Sequence, residues 1–339
     1  MKWKGILAIG LALVVLGIFV IVVGWEEVLG AAARADLVIY GGAFVAMLWC
    51  LFHRSMVWHK LLEQVDTRRP YWLVSAVFLT AMFAKYVTPY GQVASGVGMA
   101  AVVSRYYESK YEESLAAIVS ADFLNYLPYY TFGGLGLLYL ISMEAPLVDP
   151  REYAVPLVIL VGVVGLFIVT VWTQRAFVSN GIVRGAAVIE RAISRISERH
   201  ADMVRPENIE RRLEGFYVTL DLVSRDRPTL LAALGFAHLA WLGLAGALFF
   251  SALAVGVRLP IGLVLLAVAL SKFGFLMPSP GGVGGVEIAL ATALFLITPM
   301  GFAVSTAVAI LYRFSTYWFT VLIGGIASVG LTMSDPTPP

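Results

Sequence analysis

Two ionisable residues, Asp122 and Arg313, stand inside otherwise apolar runs. A charge at the centre of a bilayer costs about 2.5 to 3.5 kcal/mol on insertion scales, so such residues seek partners and mark functional interiors. Adding 191 to the first number gives the second, and an offset of 191 recurs elsewhere in the chain. Related by a pseudo-two-fold axis, the two are expected to meet as an ion pair or to share a polar cavity. Three more charges lie in apolar surroundings: Lys85, Lys272 and Glu287.

Both lysines precede breaks in apolar segments, Pro89-Tyr90-Gly91 and Pro278-Ser279-Pro280-Gly281-Gly282. A helical arm beginning at such a tip presents free backbone N–H groups and its positive dipole end. This predicts an anion site at the arms from Gly91 and Gly281, for which a phosphate headgroup is the natural ligand in a membrane. Glu287 falls about one turn into the second arm, where the dipole favours a carboxylate. It is expected to bind a cationic headgroup, take a proton or balance Arg313. The corresponding position in the first half is Gly96, with Gln92 and Ser95 supplying neutral polarity. The expected substrate-binding set is therefore Lys85, Gln92, Ser95, Asp122, Lys272, Glu287, Arg313 and Tyr317, with hairpin tips at Pro89, Gly91, Pro278, Pro280, Gly281 and Gly282.

The elements that must position these groups are helices in lipid. Of 339 residues 60% are hydrophobic and 14% charged, against about 25% charged in soluble domains. Apolar segments at 5–24, 37–53, 114–143, 153–174, 229–256 and 303–331 approach the roughly 20 residues needed to cross a bilayer. The first follows Lys2 and Lys4 but ends at Trp25-Glu26-Glu27 instead of a small-residue cleavage site, and reads as a retained helix. The broken segments at about 71–104 and 261–298 have second arms of about 13 and 16 residues, short for a crossing. They are expected to be re-entrant hairpins with tips facing the protein interior.

The offset of 191 pairs Pro89 with Pro280, Gly91 with Gly282, Ala100 with Ala291 and Ser114 with Ser305. It also pairs Ala116 with Ala307, Phe123 with Phe314, Tyr126 with Tyr317, and Gly133-Gly134 with Gly324-Gly325. The predicted fold is all-α and integral to the membrane, with six transmembrane helices and two re-entrant hairpins in two inverted repeats, 1–152 and 153–339. Residues 175–228, with ten basic and eight acidic side chains, form a cytoplasmic helical linker split by Pro206 and inserted in the second repeat. Placing both termini in the cytoplasm puts 18 of the 24 Lys and Arg residues on that side, Arg54 and Lys60 among them, as basic-residue bias requires.

No enzyme constellation is visible. His53, His59, His200 and His238 lack metal-ligand spacing, Cys50 is the lone cysteine, and Gly281-Gly282-Val283-Gly284-Gly285 lacks the lysine of a phosphate-binding loop. No metal or cofactor is expected, and the net charge of +2 does not suggest nucleic acid.

Pro278-Ser279-Pro280-Gly281-Gly282-Val283-Gly284-Gly285-Val286-Glu287, with Tyr312-Arg313-Phe314-Ser315-Thr316-Tyr317-Trp318 and Gly324-Gly325, resembles the flippase-like membrane family that shares the transmembrane region of lysylphosphatidylglycerol synthase. The resemblance covers nearly the whole chain. In its first half that family tends to carry a Pro, then Gly-Glu and a nearby Arg, where this chain has Pro89, Gly91, Gln92 and Ser95. The resemblance implies movement of a lipid with a charged headgroup between leaflets of the plasma membrane, the partner being a phospholipid or a polyprenyl-linked lipid. A homodimer is compatible with it. The alternatives are a membrane-embedded transferase acting on a lipid-linked substrate, or a non-catalytic partner of a lipid synthase.

Overall fold

The computed structural model describes residues 33–64, 69–88, 111–143, 206–277 and 279–334, with a few isolated positions besides. The expected spans 5–24 and 153–174, the tip and return arm of the first hairpin with Pro89, Gly91, Gln92 and Ser95, most of the linker before 206, and Pro278 lie outside these residues.

Among the described residues every regular element is helical: α1 (Leu37–Leu62), α2 (Tyr71–Val87), α3 (Tyr111–Ser142), α4 (Pro206–Arg225), α5 (Arg227–Ala254), α6 (Ile261–Ser271), α7 (Gly285–Ile297), α8 (Phe302–Arg313) and α9 (Phe319–Ser334). Two 3₁₀ turns, Lys272–Leu276 and Pro280–Gly282, lie between α6 and α7, and a π-helical turn, Phe314–Trp318, joins α8 to α9. By length and composition four segments are fit to cross a membrane: Leu37–Leu62, Arg227–Ala254, Pro280–Ile297 and Phe302–Leu331. The 32 residues of α3 are long enough, but Asp122, Asn125 and the tyrosines at 126, 129 and 130 dilute their apolarity. Large apolar side chains point outward along these helices, Val38, Val45, Leu135, Leu138, Leu322 and Ile326 among them, as a lipid-facing surface requires.

The offset found among identical residues also relates the helices. Moved by 191, the bounds of α1 become 228 and 253, each within one residue of those of α5. Those of α3 become 302 and 333, spanning α8 through α9, and the start of α2 becomes 262, beside the start of α6 at 261. Helices α1 and α5 run antiparallel and are tied at both ends. The Asp36 N–H donates to the Ala254 carbonyl (2.8 Å), and Gln64 Nε2 donates to Asp226 Oδ2 (3.1 Å). Between them Gly243 lets the backbones touch, since a Cβ there would meet the Ala46 carbonyl at 2.6 Å; small residues at such crossings are the usual means of close packing in lipid.

The remaining packing is reciprocal. Helix α2 lies against α9, where Gly324 faces the Leu79 carbonyl, and α6 lies against α3, where Gly133 faces Ala269. The first glycine of each Gly-Gly pair thus makes the contact, and the second meets nothing closer than about 3.5 Å. Pro206 begins α4, as its preference for a helix start predicts.

One boundary departs from the sequence reading. Helix α1 does not stop at residue 53. It continues to Leu62 through buried His53, Val57, Trp58 and Leu61, so Arg54 is a residue of a transmembrane helix and not of a cytoplasmic loop. The arms of the second hairpin, α6 with its 3₁₀ extension and α7, pack on one another through Gly274 and Gly285, which leave no room for a Cβ.

Candidate functional site

The turn between the arms is built from glycine for a conformational reason. Gly281, Gly282 and Gly284 have φ of +58°, +70° and +85°, values that disfavour any side chain. A Cβ on Gly281 would also enter the Tyr317 ring. The turn is buried, as are Ser279, Pro280 and Val283 around it.

Glu287 is the third residue of α7. Its Oε2 accepts from the Gly284 N–H (2.9 Å) and its Oε1 from Arg313 Nε (3.0 Å). Arg313 Nη2 donates to the Gly281 carbonyl (2.8 Å), and the guanidinium lies 4.4 Å over the Tyr317 ring. Both members of the pair are buried, Glu287 to 2% and Arg313 to 5% exposure. A buried pair survives removal from water better when further hydrogen bonds support it, and here the Gly284 N–H and the Gly281 carbonyl supply one to each partner. The Glu287 carboxylate itself stands at this helix start, where it balances Arg313. Tyr317 extends the cluster by donating through its hydroxyl to the Tyr86 carbonyl (3.3 Å), tying α2 to the π-turn.

Asp122 and Arg313 do not meet. Asp122 pairs instead with Lys85, Oδ2 to Nζ at 3.7 Å, a separation too long for a hydrogen bond. The reason is geometric: each residue lies nearer to a residue of the segment that precedes its own helix in the chain, Lys85 on α2 and Glu287 on α7, than to its counterpart. The Asp122 side chain keeps 16% exposure.

Lys272, the other expected lysine, takes neither carboxylate. Its ammonium rests 5.3 Å from the Trp241 ring and 5.4 Å from the Phe275 ring, a cation–π arrangement. It lines two adjacent chambers with cavity volumes of about 40 and 30 Å³, each enough for two or three waters. Both share Arg54, Tyr86, Leu244, Lys272 and Phe275; Lys85 and Asn125 border the first, Arg313 and Tyr317 the second. Among the described residues four basic side chains thus line these chambers, and the two neighbouring carboxylates, Asp122 and Glu287, are each already paired.

Sequence reasoning missed Arg54 and Asn125. The apolar residues Val57, Trp58, Leu61 and Leu62 continue the helical spacing past Arg54 and could have carried α1 onward. Asn125 escapes a search for charge, yet lies one turn from Asp122 on α3 and therefore on the same face. Among the described residues no cluster of His, Cys, Asp and Glu could hold a metal ion.

No curated protein matches the chain. The hairpin with its Glu287 and Arg313 pair, the contact glycines Gly133 and Gly324 and the polar chambers all lie within residues 6–324, which match the family model described as the lysylphosphatidylglycerol synthase TM region. This chain is a multi-pass membrane protein and belongs to that family.

Proposed function

We propose that the chain is a lipid transporter that moves a lipid with a charged, phosphate-containing headgroup between leaflets, without catalysing a chemical change. The observation that carries this reading is the charged interior: Arg54, Lys85, Lys272 and Arg313 line chambers inside a bundle whose outer surface is apolar. Intramembrane cations are costly, and they persist where a polar ligand or pathway uses them. In this reading the headgroup occupies the chambers while the acyl chains remain in the bilayer.

Alternating access between inverted halves supplies the movement. It is supported by the common offset of 191, by the antiparallel course of α1 and α5, and by the reciprocal packing of α2 on α9 and α6 on α3. The hairpins then re-enter from opposite faces, in the plasma membrane, with both termini in the cytoplasm.

The test is leaflet-resolved transport of fluorescent phospholipids by purified protein in liposomes. Accelerated exchange of an anionic phospholipid is expected, with loss in Arg313→Gln. Failure to exchange any anionic lipid, including a polyprenyl phosphate, removes the reading.

A further inference from the structure

The two carboxylates of the interior are occupied, Glu287 by Arg313 and Asp122 by Lys85. Among the described residues Arg54 and Lys272, which both line the two chambers, have no hydrogen-bond or ion-pair partner. Beside them Asn125 is 2% exposed, and both its side-chain amide atoms, Nδ2 and Oδ1, are buried without a partner, although its backbone carbonyl accepts from Trp241 Nε1 (2.8 Å). An unsatisfied buried amide costs about 1 to 3 kcal/mol, and buried side-chain polar atoms are paired in the large majority of instances. Three groups left open around one cavity describe the complement of a ligand. Arg54 and Lys272 offer donors with positive charge; Asn125 offers one donating and one accepting atom.

We propose that Arg54, Lys272 and Asn125 form a subsite for the phosphate oxyanion of an anionic headgroup, in which the Asn125 carbonyl oxygen accepts from a hydroxyl next to the phosphate. A guanidinium and an ammonium on one phosphate make charge-assisted hydrogen bonds, the strong kind. Among the described residues the chambers are lined by arginine and lysine side chains and by no carboxylate, so the subsite discriminates against a cationic, aminoacylated headgroup. The ligand chemistry is that of a phosphate with a neighbouring hydroxyl. Its assignment to a lipid rests on the transport reading above, since a free phosphate offers the same oxyanion.

Binding to the full chain in detergent tests this separately from transport. Thermal unfolding is followed while short-chain phosphatidylglycerol, inorganic phosphate or a short-chain cationic phosphotriester lipid is added. Phosphatidylglycerol is expected to raise the melting temperature saturably, and the cationic lipid is not. The double variant R54Q/K272Q weakens the apparent Kd about tenfold to a hundredfold, the usual effect of losing hydrogen bonds to a charged group, and Lys272→Arg retains most of the binding.

Asn125→Leu weakens phosphatidylglycerol and raises the melting temperature of the unliganded protein, because an unpartnered amide is removed. A residue of purely structural importance does not produce that pair of changes, and this variant keeps the test decisive if the double variant does not fold. Competition by inorganic phosphate shows that the oxyanion is what binds, and a lipid shift that phosphate leaves untouched places the recognition in the intact headgroup; both uphold the subsite when R54Q/K272Q abolishes them. Binding that neither R54Q/K272Q nor Asn125→Leu alters overturns the proposal, as does equal affinity for the cationic lipid. Transport without subsite-dependent binding removes this inference alone, and binding without transport removes only the transport reading.

Discussion

The two ion pairs occupy related places and are built in different ways. In one, Asp122 on α3 meets Lys85, which precedes the break of its hairpin, at 3.7 Å and with partial exposure of the carboxylate. In the other, Arg313 meets Glu287, which follows the break of the second hairpin, at hydrogen-bonding distance, and a backbone group of the tip adds a hydrogen bond to each partner. The positions 122 and 313 are equivalent under the offset of 191 and carry opposite charges. Their partners come from opposite arms, because Lys85 corresponds to Leu276 and Glu287 to Gly96. One half thus holds a looser pair that borders the cavity, the other a pair locked into its own turn.

The sharpest way to break this contrast is to remove one partner at a time. Arg313→Gln leaves Glu287 charged and buried without its counterion, and a loss of about 3 to 5 kcal/mol is expected, read as a large fall in melting temperature of the detergent-solubilised protein. Lys85→Gln is expected to cost about a third of that, since Asp122 retains solvent. Equal losses for the two variants remove the distinction between a locked and an adjustable pair. In the double variant E287Q/R313Q the destabilisation is expected to be smaller than in Arg313→Gln alone, because no uncompensated charge remains.

The glycine pairs sharpen the comparison further. Gly324→Ala pushes a methyl group against the Leu79 carbonyl at 2.6 Å and is expected to cost about 1 to 3 kcal/mol. Gly134→Ala, whose Cβ meets nothing within 4 Å, is expected to be neutral or to stabilise α3 by up to about 1 kcal/mol. Thermal unfolding of the two single variants decides.

How far the sequence disclosed these differences depended on what held each residue in place. The tip glycines were legible because positive φ and the absence of a Cβ leave few residue types to choose from. Glu287 was legible because one turn of helix fixes its distance from a start that Gly281-Gly282 announces. The partners of Asp122 and Arg313 were not, because an ion pair depends on how helices from distant parts of the chain lean on each other. Symmetry in sequence suggested that equivalent residues meet, whereas packing brought each to its own hairpin. Arg54 was hidden by a rule that charge ends a span, which fails where the helix lines a polar chamber. Asn125 was hidden because an amide signals nothing until its missing partners are seen.

The smallest expected effect concerns the starts of α1 and α5. Asp36 caps α1 by accepting from the N–H groups of Val38 and Ile39 (2.9 and 3.1 Å). Asp226 caps α5 through the Thr229 hydroxyl and N–H (2.7 and 3.3 Å). The Thr229 hydroxyl, then its N–H, hold the Asp226 carboxyl below the usual carboxylate range. A carboxyl with a lowered folded-state pKa contributes stability that is complete above its unfolded pKa and is lost as pH falls through the folded value. Asp226→Asn is therefore expected to lower stability slightly at neutral pH and to converge with the unmodified chain in acid, which flattens the acid limb of the stability curve. An acid limb identical to that of the unmodified chain removes this role for the cap.

The exchange of partners, α2 onto α9 and α6 onto α3, also governs the order of biogenesis. About 230 residues separate the end of α2 from the start of α9. At roughly 5 to 20 residues per second, α2 waits tens of seconds after its synthesis for the surface it packs against. Each half is the other's template, so the final closure belongs to the finished chain.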